Sequence, residues 1–287
     1  MTSILVTGTS SGFGFFTVKT LLDAGHVVFA TMREPEGRNA DKAAALREAA
    51  SSAPGTLHVL ELDVTDEASV ERAVASAIAE AGHLDVVVNN AGFGTTGQLE
   101  CFTIEQFQRL FDVNVFGVQR VMRAVLPHMR ARRQGLVITV GSGIGRYVVP
   151  FLAPYALTKF ALEVMTDSYS MELAPFGIDV ALIQPGAFGT SFFANAIGPA
   201  DQARVASYGE FADLATKMLA GFDQVMAQPD APSPQLVADK IAELVAMPAG
   251  SRPLRSPVDT MLGEAIAAIN GVCAGVQAQI MAGFQAG

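Results

Sequence analysis

Short apolar runs alternate along this chain with longer stretches in which apolar positions recur at helical spacing. That is the pattern of a parallel sheet covered by helices on both faces. The runs predict strands at Ile4–Thr7, His26–Met32, Leu57–Leu62, Leu84–Asn89, Leu136–Val140 and Ile178–Ile183. They are almost continuously hydrophobic, as strands buried on both faces should be. Helices are predicted over Gly12–Ala24, Ala40–Ser51, Glu67–Ala81, Ile104 into the Arg130 region, Pro154–Leu173 and Gln235–Ala246, with a short strand near Leu254. Strand and helix alternate with no internal boundary, which predicts one doubly wound α/β domain over 1–287 with about seven strands.

After Thr190 the rhythm breaks. Residues 190–233 carry helix-like patches, several aromatics and a proline-containing exit at Pro229, Pro232 and Pro234. A long insertion after a sheet strand is usually functional, so this segment is expected to act as a helical substrate lid. A C-terminal helical segment is expected over 259–287. Its stretch Met261–Phe284 is apolar on average but interrupted by Glu264, Asn270, Gln277 and Gln279, which predicts a packed terminal helix rather than a bilayer span.

Half of the 287 residues are apolar and 16% are charged, ample material for a large core. The net charge of −9 argues against nucleic acid or an anionic membrane as the main partner, since both demand a basic patch. Arg130, Arg132 and Arg133 form the one basic cluster; before Gly135 they read as cations complementing a helix C-terminus. Cys101 and Cys273 make neither a disulfide framework nor a metal site, and no metal is expected. The N-terminus runs straight into a strand without a basic leader, so the expected location is the cytoplasm.

Open α/β sheets bind ligands beyond the carboxyl ends of their strands, and that is where the polar motifs fall. The first turn reads Thr7-Gly8-Thr9-Ser10-Ser11-Gly12-Phe13-Gly14. Its glycines would let the backbone approach a pyrophosphate, with the helix N–H groups pointing at it. No Lys-Ser/Thr pair follows, which excludes a Walker-type site. The second strand ends without an acid to bind a ribose; Arg33 either pairs with a 2′-phosphate or is a solvated surface arginine. Asp63 offers a carboxylate for an adenine amine and Val64 lies beside it, while Asp66 reads as the cap of the next helix. The fourth strand ends Val88-Asn89-Asn90-Ala91-Gly92, with small residues for a flat cofactor and an amide side chain that can tie neighbouring strands together; Asn90, Ala91 and Gly92 are expected at the cofactor.

Tyr155 and Lys159 are four apart on a predicted helix, hence one turn apart on one face. A tyrosine acting as base near neutrality needs its pKa lowered by about three units, or about 4 kcal/mol. One ammonium at ~4 Å supplies about that much at an effective dielectric near 20. Ser142, thirteen residues earlier, can hold a substrate oxygen while Tyr155 moves the proton. Asn114 is a poor choice for a helix interior on propensity alone and can anchor a water leading to Lys159. Pro185, Gly186, Phe188 and Thr190 close the sixth strand, where backbone N–H groups and the Thr190 hydroxyl can bind a nicotinamide carboxamide. Walls for an apolar substrate are expected from Tyr147, Val148, Val149 and Phe151, from Phe188, and from Phe192, Phe193, Tyr208 and Phe211; Arg146 and Arg204 are the cations best placed to upset that reading.

Taken together, Thr-Gly-x3-Gly-x-Gly at 7–14, Asn-Asn-Ala-Gly at 89–92, Asn114, Ser142, Tyr-x3-Lys at 155–159 and Pro-Gly at 185–186 resemble the short-chain dehydrogenase/reductase family across essentially the whole chain. The resemblance implies a Rossmann-type fold and a catalytic tetrad of Asn114, Ser142, Tyr155 and Lys159. It also implies NADP(H) as preferred cofactor with NAD(H) possible, as in the branch that includes 17β-hydroxysteroid and retinol dehydrogenases. The expected reaction is hydride transfer to or from a bulky apolar ketone or secondary alcohol. An isomerase or lyase on the same tetrad, or a non-catalytic dinucleotide-binding regulator, is the alternative. Family members often form homodimers or homotetramers through helices of the 104–130 and 154–174 regions. Two departures, Phe13 between the last two glycines and Gly141 before Ser142, remove no functional group.

Overall fold

Residue alternation decides which way each strand faces. In the computed structural model, which describes residues 1–190, 192–193 and 195–285, the strand β1 (Ser3–Thr7) sends Ile4 and Val6 to one layer and Leu5 to the other. Beside it lie β2 (Val27–Met32), β3 (Thr56–Glu61), β4 (Val86–Asn89), β5 (Gly135–Val140), β6 (Ile178–Pro185) and β7 (Arg255–Val258). All pair in parallel in the order β3-β2-β1-β4-β5-β6-β7. The six long strands expected from the sequence are present within two residues of their expected ends, and the one near Leu254 is β7. The order turns around between β1 and β4, so the crevice beyond their carboxyl ends is the place for a ligand.

Two apolar layers sandwich the sheet. In one, Val18, Leu21 and Leu22 of α1 (Gly12–Asp23) pack on Ile4, Val6, Val28 and Val88; α2 (Ala40–Ala50) adds Ala43 and Leu46. In the other, Val70 and Val74 of α3 (Glu67–Ala81) meet Leu5, Phe29 and Val87. Asp66 caps α3 as expected, accepting from the Ala68 N–H. Gly82 ends the helix at φ 75°, a conformation that favours glycine.

The helix expected from Ile104 into the Arg130 region is broken. It consists of α4 (Ile104–Phe111), a π-helical turn over Asp112–Phe116, and α5 (Gly117–Arg132). Such turns insert one residue and occur frequently at functional sites. The periodicity of the apolar positions does not register a single inserted residue, which is why the sequence reads as one helix. The arginine cluster sits at the end of α5, where Arg132 pairs with Asp85 and Arg133 donates to the Pro175 carbonyl.

Beyond α6 (Ala153–Leu173) and β6, the 190–233 segment folds into α7 (Gln202–Ser207) and α8 (Asp213–Met226). α9 (Gln235–Ala246) buries Val237 and Ile241 in the first layer. The final helix, α10 (Gly263–Gln285), corrects an expectation. Of its stretch Gly263–Gly283 only 6% is buried, so it is not a packed helix, and it is long and apolar enough to cross a membrane by length and composition. Interruptions by Asn and Gln lower hydropathy less than charges do, and only Glu264 is charged there. The sequence cannot show whether such a helix finds a surface to cover it. Residues 286–287 of the expected 259–287 segment lie outside the described residues.

Candidate active site

The first β–α connection is shaped by contacts that admit only glycine. A Cβ on Gly14 would sit 2.4 Å from the Gly8 carbonyl oxygen and 2.5 Å from Asn90 Nδ2, and one on Gly8 would lie 2.7 Å from Ala91 Cα. Asn90 fixes this approach by donating to the carbonyls of Thr7 (2.8 Å) and Gly8 (3.0 Å), so of the two adjacent asparagines it is the one that ties these strands. Thr7 Oγ1 accepts from the N–H groups of Asn90 and Ala91. α1 then begins at Gly12, and its N-cap residue Ser11 makes no side-chain cap bond. The first-turn donors are left for something else, as an anion-binding helix start requires. A Cβ on Gly12, at φ 55°, would meet only Thr190 Cβ, at 3.9 Å, beyond its own turn and among the described residues.

A cavity of about 1010 Å³ opens from this turn. Every residue expected to bind the cofactor lines it except Gly14, which packs beneath the turn. At one end lie Arg33 and Asp63, joined by Arg38 and Asn39, which the sequence reading missed. Their signal was available: Arg38 follows Arg33 by five residues in the same connection. Asp63 is held below the ordinary carboxylate range. Burial opposes this, but hydrogen bonds from the Thr65 N–H and hydroxyl and the charges of Arg33 and Arg38 outweigh it. Among the described residues Arg33 makes no ion pair, while Arg38 meets exposed Glu34 at 3.4 Å.

At the other end stand Ser142, Tyr155 and Lys159. Ser142 follows β5, and its Oγ accepts from the Ile144 N–H (3.2 Å) and faces the Pro185 carbonyl (3.4 Å). Tyr155 and Lys159 share a face of α6, the ammonium 5.4 Å from the phenol ring centre and donating to the Val140 carbonyl at 2.9 Å. Burial pushes the Tyr155 phenol up, with the Ser142 hydroxyl working in the opposite direction. Burial also lowers Lys159 from 10.5 to about 8. The direction at Tyr155 is opposite to the lowering expected beside an ammonium, and its cause is desolvation of the phenol.

Asn114 sits in the π-helical turn. Its amide accepts from the Phe93 N–H (3.0 Å) and donates to the Phe93 carbonyl (2.9 Å) and to Thr158 Oγ1 (3.2 Å). Those bonds go to the β4 loop and α6, not to Lys159, so the residue ties the cavity floor to the tyrosine helix.

The apolar wall differs in part from the expected one. Tyr147, Val149, Phe188, Phe192 and Phe193 line the cavity. Val148 is exposed, Phe151 and Tyr208 pack against Phe211, and none of these four reaches the cavity. Aromatic content alone cannot tell a wall from the packing of the segment on itself. Instead α8 supplies Met218, Leu219 and Phe222, and the neighbouring loops Ile144, Leu152 and Ile197. Phe192 lies over Tyr155 with ring centres 5.2 Å apart. Arg146 and Arg204 stay out of the cavity, paired with Glu163 and Asp201. The unusual Phe13 packs edge-on against Phe188.

Residues 2–199 match the family described as short chain dehydrogenase, which is well over half of the chain. The chain belongs to the short-chain dehydrogenase/reductase family. A 3-ketodihydrosphingosine reductase of Bacteroides thetaiotaomicron is 40% identical over 192 residues, covering 67% of this chain and 66% of that relative. The mouse (Mus musculus) 17-beta-hydroxysteroid dehydrogenase type 1 is 35% identical over 234 residues, covering 80% and 67%. The chain thus spans about two thirds of the length of these relatives. Among solved structures, a 3-ketoacyl-(acyl-carrier-protein) reductase from Brucella melitensis complexed with NADH superimposes with a TM-score of 0.72 at 25% identity, covering 90% of this chain and 96% of that one. As a family member the protein is an oxidoreductase that uses a nicotinamide dinucleotide and acts on CH–OH or C=O groups.

Proposed function

We propose that this dehydrogenase interconverts a bulky apolar ketone and its secondary alcohol with NADP(H) as preferred cofactor, and that Tyr155 is the general acid and base. The observation that carries the reading is the meeting of Tyr155, Ser142 and Lys159 in one cavity with the glycine turn. A nicotinamide dinucleotide held by the glycine turn, Asn90 to Gly92 and the Pro185–Thr190 loop would supply or take up the hydride. The chain's own residues handle the oxygen. Ser142 donates to it, and the Tyr155 phenol, kept protonated near neutrality by burial, gives it a proton as the carbonyl is reduced. Oxidation runs the same proton back and is favoured by alkaline conditions. Lys159 would hold a ribose hydroxyl, and Asn114 keeps the β4 loop and α6 in register.

Arg33 and Arg38, with no acid at the end of β2 to bind a ribose, support the phosphorylated cofactor. Phe188, Phe192, Phe193, Tyr147 and the α8 residues support an apolar substrate, as do the relatives' names, a ketodihydrosphingosine reductase and a hydroxysteroid dehydrogenase. Residues 190–233 serve as its lid. An exposed apolar stripe on α6, Leu157, Phe160 and Val164, supports homodimers or homotetramers.

Tyr155→Phe removes the hydroxyl and keeps the ring. Turnover should fall by at least about a hundredfold while NADPH affinity is retained. A Phe variant that turns over at the wild-type rate overturns the assignment.

A further inference from the structure

A buried charged cluster adjoins the site without lining the cavity. Glu163 lies one turn beyond Lys159 on α6, its side chain 4% exposed. Its Oε1 accepts from Gln184 Nε2 at 2.6 Å and its Oε2 from Arg255 Nε at 2.7 Å. Arg146 Nη2 stands 3.0 Å from the same Oε2, an ionic contact without hydrogen-bond alignment. Arg255 also donates to Asp167 at 2.7 Å.

Three of these residues sit next to the proposed reacting groups on three different segments. Arg146 ends the turn that starts at Ser142; Glu163 is on the helix of Tyr155 and Lys159; Gln184 precedes Pro185, whose carbonyl faces Ser142. The turn rests on the helix so closely that a Cβ on Gly145 would lie 3.1 Å from Glu163 Oε1 and from the Lys159 carbonyl oxygen.

α10 joins the cluster mainly through Asn270, and Arg146 Nη1 also reaches Cys273 Sγ at 3.9 Å. Asn270 Nδ2 donates to Gln184 Oε1 at 2.7 Å, and Asn270 Oδ1 accepts from Arg146 Nε at 2.9 Å. One turn earlier Ile266, 1% exposed, fills the space over Gly143: a Cβ there would be 2.8 Å from Ile266 Cδ1. Thus the otherwise exposed helix touches the protein where the Ser142–Tyr147 turn needs a backing. α10 lies outside the stretch that matches the family model.

Buried ionic clusters contribute little net stability, because desolvation offsets attraction; their effect is expected in geometry. Geometry is what the chemistry is sensitive to, since a misplacement of about 1 Å can cost a hundredfold. We propose that Glu163 is the hub of a positioning cluster and Asn270 its link to α10, so that the C-terminal helix sets the Ser142–Tyr147 turn relative to Tyr155. This rests on the roles given to Ser142 and Tyr155 above.

The test uses the full chain. In Asn270→Ala, kcat/KM for a polycyclic ketone should fall on the order of tenfold, the loss expected for one charge-assisted hydrogen bond. NADPH affinity, read by fluorescence titration, should stay within about twofold of wild type. Asn270→Asp keeps the acceptor for Arg146 and should recover most of the loss. Independently of turnover, hydrogen exchange at the Gly145 and Arg146 amides, which bond to the Ser142 and Gly143 carbonyls, should quicken in Asn270→Ala while the β5 amides stay protected. Unchanged exchange in the turn overturns the proposal, and so does a parallel loss of NADPH affinity. If the wild-type protein reduces no ketone, the functional reading fails and the exchange data alone decide the positioning role.

Discussion

Replacing Lys159 by Met removes a charge that the fold holds out of water. The lysine's pKa of about 8 in the folded chain, against 10.5 in solution, reflects burial. A displacement of about 2.5 units corresponds to about 3 kcal/mol of destabilisation while the group is charged. The hydrogen bond from Nζ to the Val140 carbonyl keeps the charged form partnered, and its effect is contained in that displacement. The pH dependence isolates the charge. Between pH 8 and 10.5 the unfolded chain binds the lysine proton and the folded chain does not, so wild-type stability rises with pH through that window. Integration from pH 7 to 9.5 gives the wild type about 2 kcal/mol relative to Lys159→Met, with the other titrating groups cancelling between the two proteins. Urea unfolding of both at the two pH values reads this difference directly. The variant should also lose turnover. Parallel stability-versus-pH curves would show that Lys159 keeps its solution pKa and that its burial does not perturb it.

Three further outcomes follow from the site and its surroundings. Arg33→Ala should weaken NADPH binding on the order of tenfold and leave NADH nearly unchanged, since only the former offers a 2′-phosphate; equal losses for both cofactors would remove Arg33 from that role. Comparing kcat/KM for a polycyclic ketone with that for a short keto acid tests the wall formed by Phe188, Phe192, Phe193 and Phe222, and a preference for the keto acid contradicts an apolar pocket. Light scattering should give the mass of a dimer or tetramer, and Val164→Glu, at 67% exposure on the α6 stripe, should shift it towards the monomer; a monomeric wild type refutes the proposed use of that face.

The sheet and the place of the cavity were legible in the local pattern of the chain. Strands buried on both faces need unbroken apolar runs, and helices packed on them need a repeating stripe, so both are written into local patterns. Gly8, Gly12 and Gly14, Asn90, Ser142, Tyr155 and Lys159 were legible for a related reason: their spacing along strand ends and one helix face already implies their meeting. Even Asp66 as a cap is a local matter. Tertiary structure decided what depends on contacts between distant segments. The π-helical turn that aims Asn114 at Phe93 costs one residue of register and leaves no trace in the apolar period. Whether an aromatic lines a cavity or packs within its own segment depended on how α7 and α8 fold back, which separated Phe222 from Tyr208 and Phe211. The direction of the Tyr155 shift turned on burial, and a tyrosine four residues before a lysine carries no record of how much water reaches it. Arg146, Glu163, Gln184 and Asn270 come from four segments up to 124 residues apart, and only the closed fold puts their charges and amides within reach of one another. Local pattern specifies which surfaces are apolar; desolvation and ion pairing are set by what finally covers them.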